Sequence, residues 1–184
     1  YSSVMHMGYV FLGMIALNNV GMNGAIMLMF AHGIGVALLF GLTGKMRESL
    51  PTLDMHQLGG LGKTAPFFCF AFGIAAFASI GLPGFANFSA EIMVFFGGFK
   101  GYGGEGFDSL QIATVLALWG VVISSVYMLR GYRRIFLGQT GDVKELADPD
   151  WGTRIPVTIL VAVLLAVGIY PSLLLDLLPG SVES

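Results

Sequence analysis

Charged side chains are scarce in this sequence. Asp, Glu, Lys and Arg make up 11% of its 184 residues, whereas a soluble domain carries roughly a quarter, so there is too little charge to cover a water-facing surface. Cysteine is almost missing. Cys69 stands alone, which excludes an intrachain disulfide and a cysteine-ligated iron–sulfur cluster; it reads as a small apolar packing residue. The net charge of -2 comes without a strongly basic face, so nucleic acid is not an expected partner. No catalytic triad, zinc-ligand set or haem-attachment motif occurs, and no metal or cofactor is expected on this chain. Two short matches to nucleotide motifs are discounted. Gly101-Tyr102-Gly103-Gly104-Glu105-Gly106 fits GxGxxG but follows an apolar helix rather than a strand, and Gly62-Lys63-Thr64 lacks the phosphate-loop glycine, its place being taken by Gln57.

Apolar residues are abundant instead. They form 55% of the chain, give a mean hydropathy of +0.81, and come in long runs rather than stripes, as in lipid-facing helices. The 27 glycines fit the same class. The expected fold is an all-α integral membrane protein with five spans, at about 4–20, 24–42, 64–99, 110–129 and 155–178, forming one membrane domain. A turn at Gly21-Met22-Asn23 separates the first two, and Pro156 falls in the first turn of the last, where its missing N–H does no harm. The chain opens with Tyr1 inside an apolar segment, with no basic leader or cleavage site; it reads as the C-terminal fragment of a longer chain.

The third segment is too long for one straight crossing. Its 36 residues would make a helix of about 54 Å, against a hydrocarbon core of about 30 Å. Gly81-Leu82-Pro83-Gly84 lies in its middle. Pro83 removes a helix hydrogen bond, while Gly81 and Gly84 make other backbone angles cheap. The spacing predicts helix, a break at 81–84, and helix again over 85–99. Unwound backbone inside a bilayer persists where protein or a water-filled cavity satisfies it, and in transporters it marks ion sites. Lys and Arg concentrate in loops 44–63 and 130–154, leaving only Lys100 in the loop between the third and fourth spans. The positive-inside rule puts those two loops in the cytoplasm and the C-terminus outside.

Three ionisable residues fall inside the spans: His6, His32 and Glu91. A charge near the bilayer centre costs about 2.5–3.5 kcal/mol on insertion scales, which makes such residues functional candidates. Glu91 follows the break, and Asn87, one turn earlier, is placed to donate to its carboxylate. His32 carries an imidazole that both donates and accepts protons, and the flanking Gly33 and Gly35 allow another helix to come close. His6 shares a face with Tyr9 and Val10, and its shallower position predicts a smaller role. The competing reading is that each merely hydrogen-bonds a neighbouring helix. Asp176 is expected to be solvated.

At these residues the chain closely resembles the antiporter-like subunit M (subunit 4) family of proton-translocating NADH:quinone oxidoreductase, respiratory complex I. The matching stretches are Tyr1-Ser2-Ser3-Val4-Met5-His6-Met7-Gly8, Met29-Phe30-Ala31-His32-Gly33, Gly59-Gly60-Leu61 and Gly81 through Glu91. Glu91 stands where the related subunits L and N carry Lys. The resemblance implies part of the second of two inverted repeats, with a proton relay running through His6 and His32 to Glu91. It also implies a bacterial inner (plasma) membrane location and neighbouring antiporter-like subunits. FMN, iron–sulfur clusters, NADH and quinone would belong to the rest of the complex. The alternatives are a subunit of a multisubunit cation/proton antiporter or of a membrane-bound hydrogenase, or a membrane scaffold.

Overall fold

The computed structural model describes residues 2–100, 108–138 and 146–177. They form seven α-helices: α1 Ser2–Ile15, α2 Asn19–Ser49, α3 Pro66–Ile80, α4 Ala86–Lys100, α5 Ser109–Tyr132, α6 Trp151–Ile169 and the short α7 Ser172–Leu175. A 3-10 turn, Leu61–Lys63, precedes α3, and α5 runs on as a π-helix, Arg133–Leu137. There is no strand among the described residues. Three helical segments, Asn19–Ser49, Ser109–Leu137 and Trp151–Ile169, are each long and apolar enough to cross a membrane alone. The candidate glycine-rich motif at 101–106 lies outside the described residues.

The central helix is α2, which packs on α1, α3, α4 and α6. Small residues bring it close to α4: a Cβ on Gly24 would lie 2.7 Å from the Val94 nitrogen, and one on Gly97 would overlap Gly21. Gly33 has open space around it, and Gly35 meets only the Ser79 hydroxyl. The close helix approach expected beside His32 therefore occurs elsewhere, at Gly21, Gly24 and Gly97. α5 turns a broad apolar face outward, with Leu116, Trp119, Val122 and Ile123 exposed, as a lipid-facing helix must.

Several boundaries differ from the sequence expectation. The first turn falls at Ala16–Asn18, not Gly21–Asn23, because Asn18 is the better cap. Its Oδ1 accepts from the Gly21 N–H at 2.9 Å, while its Nδ2 donates to Gly97 O at 2.8 Å across to α4. α2 continues to Ser49, so Lys45 and Arg47 extend a helix past the apolar segment rather than lying in a loop. The loop expected from residue 130 is likewise helical as far as Leu137. α6 starts at Trp151, four residues early, which puts Pro156 inside the helix rather than in its first turn. It stops at Ile169, ahead of Pro171, so the last span is interrupted and α7 follows it.

The break is where the sequence puts it. α3 ends at Ile80 with Gly81 left-handed (φ 77°, ψ 45°). The Gly81 N–H donates to Ala78 O at 3.1 Å, and the Leu82 N–H reaches back to Phe77 O at 3.2 Å. This pair of bonds closes the helix end and satisfies carbonyls that the missing turn would leave bare. α6 covers the unwound stretch from outside. A Cβ on Gly168 would overlap Gly84 O and the Phe85 backbone, and Ser89 donates to Gly168 O at 3.2 Å.

Candidate functional site

α1, α2 and α4 each bring one ionisable side chain to the same buried place. His6 is fully buried, while Glu91 and His32 are only 4% and 8% exposed. His6 is the middle member. Its Nε2 lies 3.5 Å from Glu91 Oε1, and its ring stacks on that of His32 with centroids 4.4 Å apart and planes 20° from parallel. Tyr9, one turn along α1, presents its ring to His6 edge-on at 6.0 Å and anchors α1 to α5 by donating to Ala117 O at 3.0 Å.

Ser2 fixes the orientation of His6. The His6 Nδ1 lies 2.8 Å from Ser2 O; a carbonyl only accepts, so Nδ1 carries a proton. Nε2 then faces Glu91 either as a bare lone pair or as a second N–H. A neutral ring beside an ionised carboxylate would set two lone pairs against each other. Imidazolium with carboxylate and imidazole with carboxylic acid both avoid that clash. At 3.5 Å the two atoms are close but form no hydrogen bond, and both His6 Nε2 and Glu91 Oε1 lack a hydrogen-bond partner among the described residues.

The carboxylate of Glu91 also lies against the break. A Cβ on Gly81 would overlap it directly, so the chain folds at 81–85 to set the second turn of α4 beside the end of α3. Asn87 is buried at 1% exposure but makes no hydrogen bond to Glu91, and its Oδ1 has no partner among the described residues. The supporting bond expected from Asn87 is absent among the described residues. Its position beside Glu91 on α4 is as expected.

Of the residues singled out in sequence, the structure joins His6, His32 and Glu91 with Gly81. Pro83 and Gly84 lie within the break itself. Ser2 was missed, although its place four residues before His6 on one helix was a usable signal. Cys69 is more than packing: its sulfur lies 3.2 Å from the Tyr132 hydroxyl, tying α3 to α5. Asp176 is exposed, as expected. No group of His, Cys, Asp and Glu suited to a metal ion occurs among the described residues.

Residues 1–117 match the family described as NADH:quinone oxidoreductase/Mrp antiporter, transmembrane. The chain is 40% identical over 177 residues to NAD(P)H-quinone oxidoreductase chain 4 1 of Synechococcus elongatus, covering 94% of this chain and 32% of that protein. It is 34% identical over 183 residues to NADH-quinone oxidoreductase subunit M of Pseudomonas aeruginosa, covering 100% of this chain and 34% of the other. It superposes on a chain of respiratory complex I from Thermus thermophilus with a TM-score of 0.81 at 28% identity, covering 94% of this chain and 35% of that one. A chain of an archaeal membrane-bound sulfane sulfur reductase shares the fold, with a TM-score of 0.73 at 16% identity and coverage of 92% and 32%. The chain thus spans about a third of the length of the curated relatives it matches.

Proposed function

The chain belongs to the NADH:quinone oxidoreductase/Mrp antiporter family of membrane proteins, and we propose that it works in the proton-translocating membrane part of an NADH:quinone oxidoreductase. The names of its relatives support the assembly. The observation that carries the reading is the buried His6–Glu91 pair with His32 stacked upon it. An ionisable triad is expensive in a bilayer unless it faces a polar interior and does proton chemistry there. Redox chemistry belongs to other subunits holding FMN, iron–sulfur clusters and the quinone site.

In this reading a proton passes from His32 through His6 to Glu91. A face-to-face stack aims no N–H at a lone pair, so transfer between the two imidazoles requires one ring to rotate. The stacked state is the closed state of the path, and Ser2 holds His6 in it. Lys45, Arg47, Lys63, Arg130, Arg133, Arg134 and Arg154 gather at one end of the bundle, tied by the Arg134–His56 and Asp148–Phe67 contacts, while Lys100 is at the other. By the positive-inside rule the rich end is cytoplasmic and the C-terminus outside, in a bacterial plasma membrane.

The test of the assembly is purification of the full-length protein from its native membranes in mild detergent. Co-purification with flavin and iron–sulfur subunits is expected; recovery with transporter subunits alone would favour a cation/proton antiporter. The relay makes its own demands. His32→Ala is expected to lower proton translocation several-fold at normal assembly, and a wild-type rate would return His32 to a packing role. His6→Ala is expected to lower it further, reversing the order that span depth suggested, because His6 alone bridges the other two. A larger loss in His32→Ala than in His6→Ala would sink that ranking.

A further inference from the structure

We propose that the arginine-lined pocket at the end of α5 binds the phosphate of an anionic phospholipid. Arg130, Arg133 and Arg134, with Leu58 and Gly138, line a cavity of about 370 Å³, within the size range of small-ligand sites. None of the three arginines forms an ion pair among the described residues. Arg134 Nη2 lies 2.8 Å from His56 Nδ1. Arginine only donates, so His56 accepts and brings no negative charge to the cluster. Three arginines therefore line one pocket with no carboxylate paired to them among the described residues, and the forked N–H geometry of a guanidinium matches a phosphate oxygen pair.

Two further features select a lipid over free phosphate. Arg130 stands 21 residues beyond the start of α5, or about 31 Å along the helix, which matches a hydrocarbon core of about 30 Å and puts the arginines at headgroup depth. Trp119, Val122, Ile123 and Val126 are 62%, 53%, 61% and 46% exposed, and their spacing continues into Arg130, Arg133 and Arg134 on the same helix face. An acyl chain laid along that apolar stripe delivers its phosphate to the pocket, with Leu58 as the apolar wall. This is a recognisable layout for anionic headgroups between membrane helices. The inference rests on the chain spanning a membrane and not on the proton relay, so either can fail alone.

The experiment uses the full-length protein in its purified complex, reconstituted with photo-crosslinking phosphatidylglycerol or, separately, photo-crosslinking phosphatidylcholine. Phosphatidylglycerol adducts are expected on the peptide carrying Arg130 to Gly138, and excess inorganic phosphate should leave them unchanged. Each of Arg130→Gln, Arg133→Gln and Arg134→Gln keeps two of the charges that orient the span. Each is expected to lower the adduct about threefold, in line with loss of a charge-assisted contact. Equal labelling by phosphatidylcholine, displacement by inorganic phosphate, or undiminished labelling in all three variants would overturn the proposal.

Discussion

Glu91→Gln in the full-length subunit is expected to leave the complex assembled and to cut proton translocation to about a tenth or less, the scale on which losing a positioned proton-transfer group is felt. Gln preserves the shape of the side chain in a site where Glu91 is 4% exposed, and it spares the bilayer an ionisable group, so folding is not penalised. What it removes is the exchangeable proton. With Nδ1 committed to Ser2 O, His6 turns Nε2 toward Glu91 at 3.5 Å, and an amide could not alternate between donor and acceptor in the proposed exchange. Glu91→Asp retains the acid but draws it back by one methylene, about 1.5 Å, so the oxygen no longer reaches His6 without a local shift. Partial activity is expected. The measurement is NADH-driven proton uptake into membrane vesicles, with complex content checked on a native gel. Normal uptake by an assembled Glu91→Gln complex would remove the relay from the proposed function.

The features legible in the sequence were those written along one strand of chain. Pro83 between Gly81 and Gly84, in a segment too long for one crossing, was enough to fix the break. The scarcity of ionisable residues inside apolar runs was enough to single out His6, His32 and Glu91. What one sequence could not express was which helix faces which. These helices are apolar nearly all round, so no polar face tells where a neighbour lies. The stack of His6 on His32 depends on how α1 lies against α2, and Gly33 and Gly35 suggested a contact that Gly21, Gly24 and Gly97 make instead. Helix ends moved for local reasons. Asn18 captured the start of α2 by capping, and Pro171 stopped α6. His6 looked peripheral because depth was counted from residue 4, whereas the fold packs α1 against α2 and α4 and buries its imidazole completely.

Gly81 offers the second large effect, because one position there serves both the fold and the site. Its backbone is left-handed at φ 77°, a conformation that costs an L-residue about 1–2 kcal/mol. A Cβ would in addition overlap the Glu91 carboxylate. Gly81→Ala is therefore expected to lower the thermal stability of the complex and to displace Glu91 from His6, reducing proton translocation together with assembly. Gly81→Val, bulkier and branched at Cβ, should fail to assemble. Gly33→Ala is the matched control. That position is helical with open space around it, and the change should be neutral or stabilising, since Ala is favoured over Gly in a helix by about 1 kcal/mol. The two costs at Gly81 separate in a double-mutant cycle. Shortening the partner in Gly81→Ala/Glu91→Ala removes the overlap but not the backbone strain, so the double variant should recover part of the stability lost in Gly81→Ala and none of the proton translocation. Thermal melting of the detergent-solubilised complex reads the first quantity, and vesicle uptake reads the second. If Gly81→Ala melted with Gly33→Ala, the carboxylate would not rest against the break, and the geometry that ties the unwound backbone to the proton site would be wrong.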